Sequence, residues 1–194
     1  MIPRGLFICI YLLLGLSNQA QQFIENKGQW PDHVLFRAEI PEGHIYIEKV
    51  GITFDIRDVE QWSSISEAHH GHSAFPERLN FHAYHMEFLG IETLDIQTTT
   101  NSSTSYNFFR GNDPSEWGSD CRAVQEILCS NLWEKIDLRL YFVDGQFKYD
   151  LIVHPSGDPS DIKFRYKGID PDVENGQLRF DTDFTTFFES RPYL

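Results

Sequence analysis

The sequence is poor in cysteine and in cationic side chains, and each shortage excludes a class of protein. Its three cysteines are too few for a disulfide-rich scaffold. It has 16 Lys and Arg residues against 29 Asp and Glu residues, so the net charge is -13. Because such a field repels phosphate groups, the composition argues against nucleic acid and against an anionic membrane surface as partners.

The chain also lacks an apolar run long enough to span a bilayer, which takes about 20 residues. Its most apolar stretch, Leu6–Leu16, follows Arg4 and precedes small and polar residues, as in a secretory signal peptide. We therefore predict a signal peptide over residues 1–20, with cleavage after Ala20 or after Ser17. The mature chain is expected to be exported and to have no membrane span.

Removal of this leader would take away Cys9 and leave two cysteines, Cys121 and Cys129. The segment between them reads as one extended strand. Eight residues at about 3.3 Å each would hold the two sulfurs beyond bridging distance unless the strand bends sharply. The sequence therefore favours two buried or partly buried free thiols over a disulfide.

The mature sequence has no long helical period and consists of short runs rich in Val, Ile, Phe and Tyr, separated by turn residues. These runs predict one all-β domain over residues 21–194, a two-sheet, β-sandwich-like fold of roughly ten short, mostly antiparallel strands. Besides the Cys121–Cys129 segment, the strand candidates are Val34–Ile40, His44–Lys49, Ile52–Ile56, Phe81–Leu89, Asp137–Val143, Gln146–Val153, Ile162–Tyr166, Gln177–Asp181 and Phe184–Glu189.

The connections between these runs carry turn and loop residues. Asp144 and Gly145 suit the positive φ angles of a type I′ turn and predict a hairpin. The polar segment Arg57–Leu79 predicts a long loop with about one helical turn, since it lacks an apolar stripe. The Ser- and Thr-rich segment Thr98–Ser105 predicts a flexible crossover.

Several blocks of the sequence resemble, in order, a family of bacterial surface domains. The blocks are Phe23–Pro31 (FIENKGQWP), Leu35–Ala38, Gly51–Asp55, Asn107–Trp117, Gly145–Val153 and Asp158–Ser160. They are similar to the uncharacterised N-terminal β-domain of gliding-motility-associated surface proteins of Bacteroidota, which β-propeller repeats and a sorting domain commonly follow. The resemblance implies export, delivery to the cell surface by the type IX route, and a chain that leads a longer protein. It implies no activity.

The same blocks also have a structural interpretation. Gly28 and Pro31 around Trp30 predict a turn that lays the indole across the end of a core. The run Asn112–Ser115 predicts a second turn, in which side chains cap backbone amides.

Histidines form the first of two candidate metal sites. His69, His70 and His72 are the densest imidazole cluster, but no carboxylate or cysteine stands at a defined spacing, which favours a solvated loop. His82 and His85 are three apart on a predicted strand, so their side chains should point to opposite faces.

The second candidate is an acidic run before Gly176 that weakly resembles a calcium loop. Its oxygen-bearing residues are Asp170, Asp172, Glu174 and Asn175. Pro171 interrupts the run and the glycine comes one residue too late, so we predict an acidic turn between two strands.

Motifs for catalysis are missing: there is no Gly-x-Ser-x-Gly elbow, zinc-protease helix or phosphate-binding glycine loop. The sequence thus predicts no catalytic residues, no metal and no cofactor. We expect a non-catalytic structural or interaction module that contacts a protein or glycan at the cell surface. One alternative is a carbohydrate-binding module in which Trp30, Trp62 or Trp117 stacks on sugar rings. The other is a carboxylate- or metal-dependent hydrolase, because scattered Asp and Glu can meet in space.

Overall fold

The structure, a computed structural model, describes residues 21–69, 75–98 and 101–190. The predicted signal peptide lies outside the described residues, as do His70, His72 and the side chain of His69. Where the chain is described, strands dominate and one α-helix is present.

Fifteen strands make up the described fold. In chain order they are β1 (Phe23–Glu25), β2 (Val34–Ile40), β3 (Gly43–Glu48), β4 (Gly51–Arg57), β5 (Phe81–Phe88), β6 (Ile96–Thr98), β7 (Asn101–Phe108), β8 (Gly118–Val124), β9 (Glu126–Trp133), β10 (Ile136–Val143), β11 (Gln146–Val153), β12 (Phe164–Lys167), β13 (Asp172–Glu174), β14 (Gln177–Asp181) and β15 (Thr186–Glu189). The helix α1 spans Val59–His69, and two short 3-10 turns span Pro114–Glu116 and Pro159–Asp161.

These strands form three sheets, and all their pairings are antiparallel. The long sheet has eight strands in the order β12-β5-β4-β3-β2-β1-β8-β7, and the second sheet has four in the order β11-β10-β9-β6. A third sheet, which the sequence did not lead us to expect, is β13-β14-β15. The prediction of an all-β, sandwich-like domain is confirmed, with more strands than the roughly ten expected for a sandwich.

The main core lies between the long sheet and the second sheet. Alternation along β3 buries Ile45 and Ile47, and alternation along β10 buries Leu138 and Leu140 from the opposite side. Full burial of each such side chain contributes about 1.5–3 kcal/mol. Phe23 of the short strand β1 is completely buried in the same cluster, so β1 fills the core as well as joining the sheet.

The third sheet packs over a second, smaller core. Phe180 of β14 and Phe187 of β15 stack on Tyr84 of the long sheet, with ring centroids 5.8 and 5.6 Å away. Tyr149 and Tyr166 both donate hydrogen bonds to the Glu189 carboxylate at the end of β15. The third sheet is thus fixed to the body of the domain by aromatic rings and by one shared carboxylate.

The strongest strand predictions are confirmed. The bounds of β2, β11 and β14 are the predicted ones, and β2, β3, β4 and β5 are neighbours in the long sheet. Asp144 and Gly145 have φ angles of 49° and 80°, as a type I′ turn requires.

The prediction of a loop with about one helical turn in segment 57–79 is wrong, because α1 occupies eleven residues of it. Asp58 caps the helix: its Oδ1 accepts hydrogen bonds from the amides of Glu60 at 3.1 Å and Gln61 at 3.2 Å. Most of the helix lies on the surface, so its sequence carries no clear apolar stripe and reads as a loop.

The prediction of a flexible crossover over segment 98–105 is also wrong in its described part. Asn101–Phe108 is strand β7, which pairs with β8 at the end of the long sheet. An edge strand exposes much of its surface to water, so Ser, Thr and Asn are tolerated there and the apolar alternation is lost.

The two cysteines are free and buried, as predicted. They do not share one continuous strand, since β8 ends at Val124 and β9 begins at Glu126, in different sheets. Burial raises the pKa of both thiols, that of Cys129 to about 12. Each cysteine therefore packs as a small apolar side chain.

Within the described ranges, no helix has the length and apolar character needed to cross a membrane.

Candidate functional site

The loop that carries the FIENKGQWP block is closed by the side chain of Asn26. Its Nδ2 donates to the carbonyl oxygens of Trp30, Pro31 and Val34, at 2.8–3.1 Å. Its Oδ1 accepts from the amides of Gly28 and Trp30, both at 3.1 Å. The block therefore encodes a self-bonded turn, as its structural interpretation predicted.

Trp30 is buried by this turn, with 7% of its surface exposed. Its ring lies 5.3 Å from that of Phe108, and the guanidinium of Arg37 lies 4.6 Å from the ring centroid. The indole is buried, as predicted, but it packs against Phe108 and Arg37 and belongs to neither of the two hydrophobic cores. Trp30 has no free face on which a sugar could stack.

A cleft of about 550 Å³ opens beside the Asn26 turn, between the start of β2 and strand β6. Its apolar floor includes Phe36 and Ile96, and its charged rim includes Glu25 and Arg122. Arg122 donates two hydrogen bonds to the Glu25 carboxylate, at 2.9 and 3.0 Å. These bonds hold the pKa of Glu25 below its usual range, so this carboxylate is a fixed anion and not a proton donor.

A second cleft, of about 500 Å³, lies beside Trp133 and is lined by Glu92 and Thr93. Trp133 is buried, and its Nε1 donates to the carbonyl of Leu89 at 2.8 Å. Its ring packs against Phe88 and Phe164. The indole is thus part of the core and leaves no donor free for a ligand.

The described histidines of the predicted strand point to opposite faces, as expected. His82 bonds to the carbonyl of Gly168 at 2.9 Å, whereas His85 Nδ1 lies 2.9 Å from the Thr53 hydroxyl. Nowhere in the described part of the chain do three or more His, Cys, Asp or Glu side chains gather closely enough to hold a metal ion.

The prediction of an acidic turn before Gly176 is only partly right, because Asp172 and Glu174 lie in strand β13 and the turn itself is Asn175 and Gly176. Asn175 and Gly176, with φ angles of 53° and 79°, connect β13 to β14. Glu174 lies 3.5 Å from Arg179 in an ion pair, so its carboxylate is turned to the neighbouring strand.

Among the residues that the structure describes, the carboxyl groups with a shifted pKa all shift in the same direction. The pKa is lowered by cationic partners or by hydrogen-bond donors for Glu25, Glu87, Asp113, Asp137, Asp158 and Asp181. Hydrolases that use a carboxylic acid as proton donor need the opposite shift. These six groups serve as ion-pair partners and caps.

Two groups of large apolar side chains lie on the described surface and are candidate binding surfaces. The first, which we call the helix surface, consists of Val59, Trp62, Leu79 and Phe81. The rings of Trp62 and Phe81 meet edge to face at 6.1 Å. The amide of Asp58 donates to the carbonyl of Asn80, which holds the helix start against the start of β5.

The second group, which we call the aromatic corner, consists of Phe109 and Trp117. Their ring centroids are 5.3 Å apart and their planes meet at 89°. Trp117 Nε1 donates to the carbonyl of Arg110 at 3.0 Å, and Phe109 is 68% exposed. Sequence reasoning singled out Trp117 but missed Phe109, because a Phe after a strand-like run gives no signal of exposure.

Fold and surface together define a sandwich-like antiparallel β-domain that carries exposed aromatic groups at its ends. The chain belongs to the family described as domain of unknown function DUF7948, whose model matches residues 23–194. A search of curated proteins found no significant match, and a search of solved structures found none either.

Proposed function

We propose that this chain is a non-catalytic interaction module of an exported cell-surface protein. The observation that carries the proposal is the helix surface, where four large apolar side chains of α1, the following connection and β5 are 37–53% exposed. Leaving such groups in water is unfavourable, and Trp62 and Phe81, whose rings meet at 6.1 Å, present the kind of apolar surface that protein contacts cover. The favoured partner is therefore a protein with a complementary apolar face.

Export and the type IX route rest on two observations from the sequence. One is the predicted signal peptide over residues 1–20, and the other is the resemblance to surface proteins of Bacteroidota.

A carboxylate- or metal-dependent hydrolase is the less favoured alternative. The Glu25 carboxylate in the larger cleft is held by Arg122, and the Trp133 donor in the other cleft is held by Leu89. In the larger cleft Glu25 is held as an anion, whereas acid–base hydrolysis of glycosides also requires a carboxyl group that keeps its proton.

The helix surface can be tested with a photo-crosslinking amino acid at Val59, expressed in the producing cell. We expect one discrete adduct, identified by mass spectrometry, because Val59 borders the proposed contact. The matched control carries the crosslinker at Phe188, which is equally exposed but lies on the third sheet. Adding Phe81→Ser should lower the Val59 adduct about tenfold, as for an interface hot spot. Equal adducts at both positions, or none at Val59, would contradict the proposal.

Export makes a separate prediction about the mature N-terminus. Sequencing of the chain recovered from the cell surface or the medium should give a start at Gln21 or Asn18, because the leader is removed on export. A chain that begins at Met1 and stays inside the cell would show this part of the proposal to be wrong.

A further inference from the structure

The aromatic corner offers a shape that neither ring has alone. Two rings at 89° with centroids 5.3 Å apart form an L, so a flat ligand can lie on one ring while its edge contacts the other. Phe109, at 68%, is far more exposed than the aromatic residues of the core. The corner is therefore accessible from solvent.

The Trp117 side of the corner is held in place by hydrogen bonds. The indole is fixed by its bond to the Arg110 carbonyl, and the Trp117 amide donates to the carbonyl of Pro114 in the adjoining 3-10 turn. Asp113 caps that turn by accepting from the amide and hydroxyl of Ser115. A surface fixed in this way loses little conformational entropy when a ligand binds.

The polar surroundings of the corner select among flat ligands. Arg110 and Asn112 belong to the same short loop, between Phe109 and the 3-10 turn, and are exposed. A pyranose ring presents an apolar face of C–H groups and a rim of hydroxyls, which suits an aromatic ring beside polar side chains. The acidic chain, with a net charge of -13, repels anionic polymers.

We propose that the aromatic corner binds an uncharged polysaccharide, with a sugar ring stacked in the L formed by Phe109 and Trp117. This deepens the proposed function by adding a glycan partner at a surface separate from the helix surface. Because the two surfaces do not share residues, an experiment can disprove one of the two proposals without affecting the other.

Affinity gel electrophoresis tests this directly. The whole mature chain is run through gels that contain hydroxyethyl cellulose, xylan, galactomannan or laminarin, with polygalacturonate as the anionic comparison. At least one uncharged polymer should retard the chain, and Phe109→Ala should weaken that retardation about tenfold, as expected for removal of a stacking anchor. Phe188→Ala removes a comparably exposed phenylalanine and should leave it unchanged.

Two further measurements separate a loss of binding from a loss of folding. The midpoint of thermal unfolding of Phe109→Ala should match that of the parent chain, since an exposed ring contributes little to stability. Trp117→Phe keeps a ring but loses the bond to Arg110, and should weaken binding by an intermediate factor. Absence of retardation in every uncharged polymer, or equal losses in Phe109→Ala and Phe188→Ala, overturns the proposal. Release of new reducing ends from a polymer would instead contradict the non-catalytic function. If the corner binds no polymer but the Val59 adduct still forms, only the glycan proposal is wrong and the proposed protein contact stands.

Discussion

Replacing Asn26 with alanine should lower the free energy of unfolding by about 2 kcal/mol, because several backbone groups would lose their partners together. Two amides and three carbonyl groups bond to this one side chain. Asn26→Asp should be at least as damaging at neutral pH, because it places a carboxylate against the three carbonyl oxygens. Urea denaturation measures both effects.

The control for this prediction is Asn112→Ala, which removes the same side chain from an exposed loop. Its free energy of unfolding should stay within about 0.5 kcal/mol of the parent. If Asn26→Ala lowered the free energy of unfolding as little as Asn112→Ala, the turn would not explain why the FIENKGQWP block has this sequence. A role in binding would then be the better interpretation of the block.

Gly43→Ala should be the most damaging single substitution that we predict, at about 4 kcal/mol, because strain and overpacking act together. Gly43 has φ of 145°, and a Cβ atom there would lie 1.9 Å from the carbonyl oxygen of Asp55. That oxygen belongs to β4, the partner strand, so it cannot move away without breaking the sheet. Urea denaturation, or failure to express a folded chain, measures the effect.

Gly90 provides the matched control for Gly43. It also has a positive φ, 84°, but a Cβ atom added there meets nothing within 4 Å. Gly90→Ala should therefore show only the backbone cost, about 1 kcal/mol. If the two variants lost similar free energies of unfolding, the close contact between the added Cβ atom and Asp55 would not be destabilising.

Much of the fold could be predicted because its signals are local. Strand β11 alternates apolar and polar residues and follows Asp144 and Gly145, so turn and period agree. Helix α1 could not be predicted from an apolar stripe, since its stability comes from the Asp58 cap and from packing at one end. The third sheet was missed because nothing local tells whether Phe180 faces the main core or one of its own.

The candidate site was harder to predict for a similar reason. Trp30 and Trp117 look alike in sequence, as single indoles within turn-rich blocks, yet the first is buried beneath Arg37 and the second pairs with Phe109. Burial depends on which strands become neighbours, and β1 pairs with β8 from a distant part of the chain. Only the assembled sheet separates the structural indole from the accessible one.

The strand order of the long sheet also sets the time at which the domain can fold. Strand β1 can pair with β8, and β5 with β12, only after these later strands have been synthesised, and residues Phe164–Lys167 of β12 come late in the chain. Pairings of such high sequence separation form slowly, because loop closure precedes any gain from contact. The long sheet can therefore be completed only after nearly all of the chain has been synthesised. For the export that we propose, this order would leave the sheet open while the chain passes through a translocation channel.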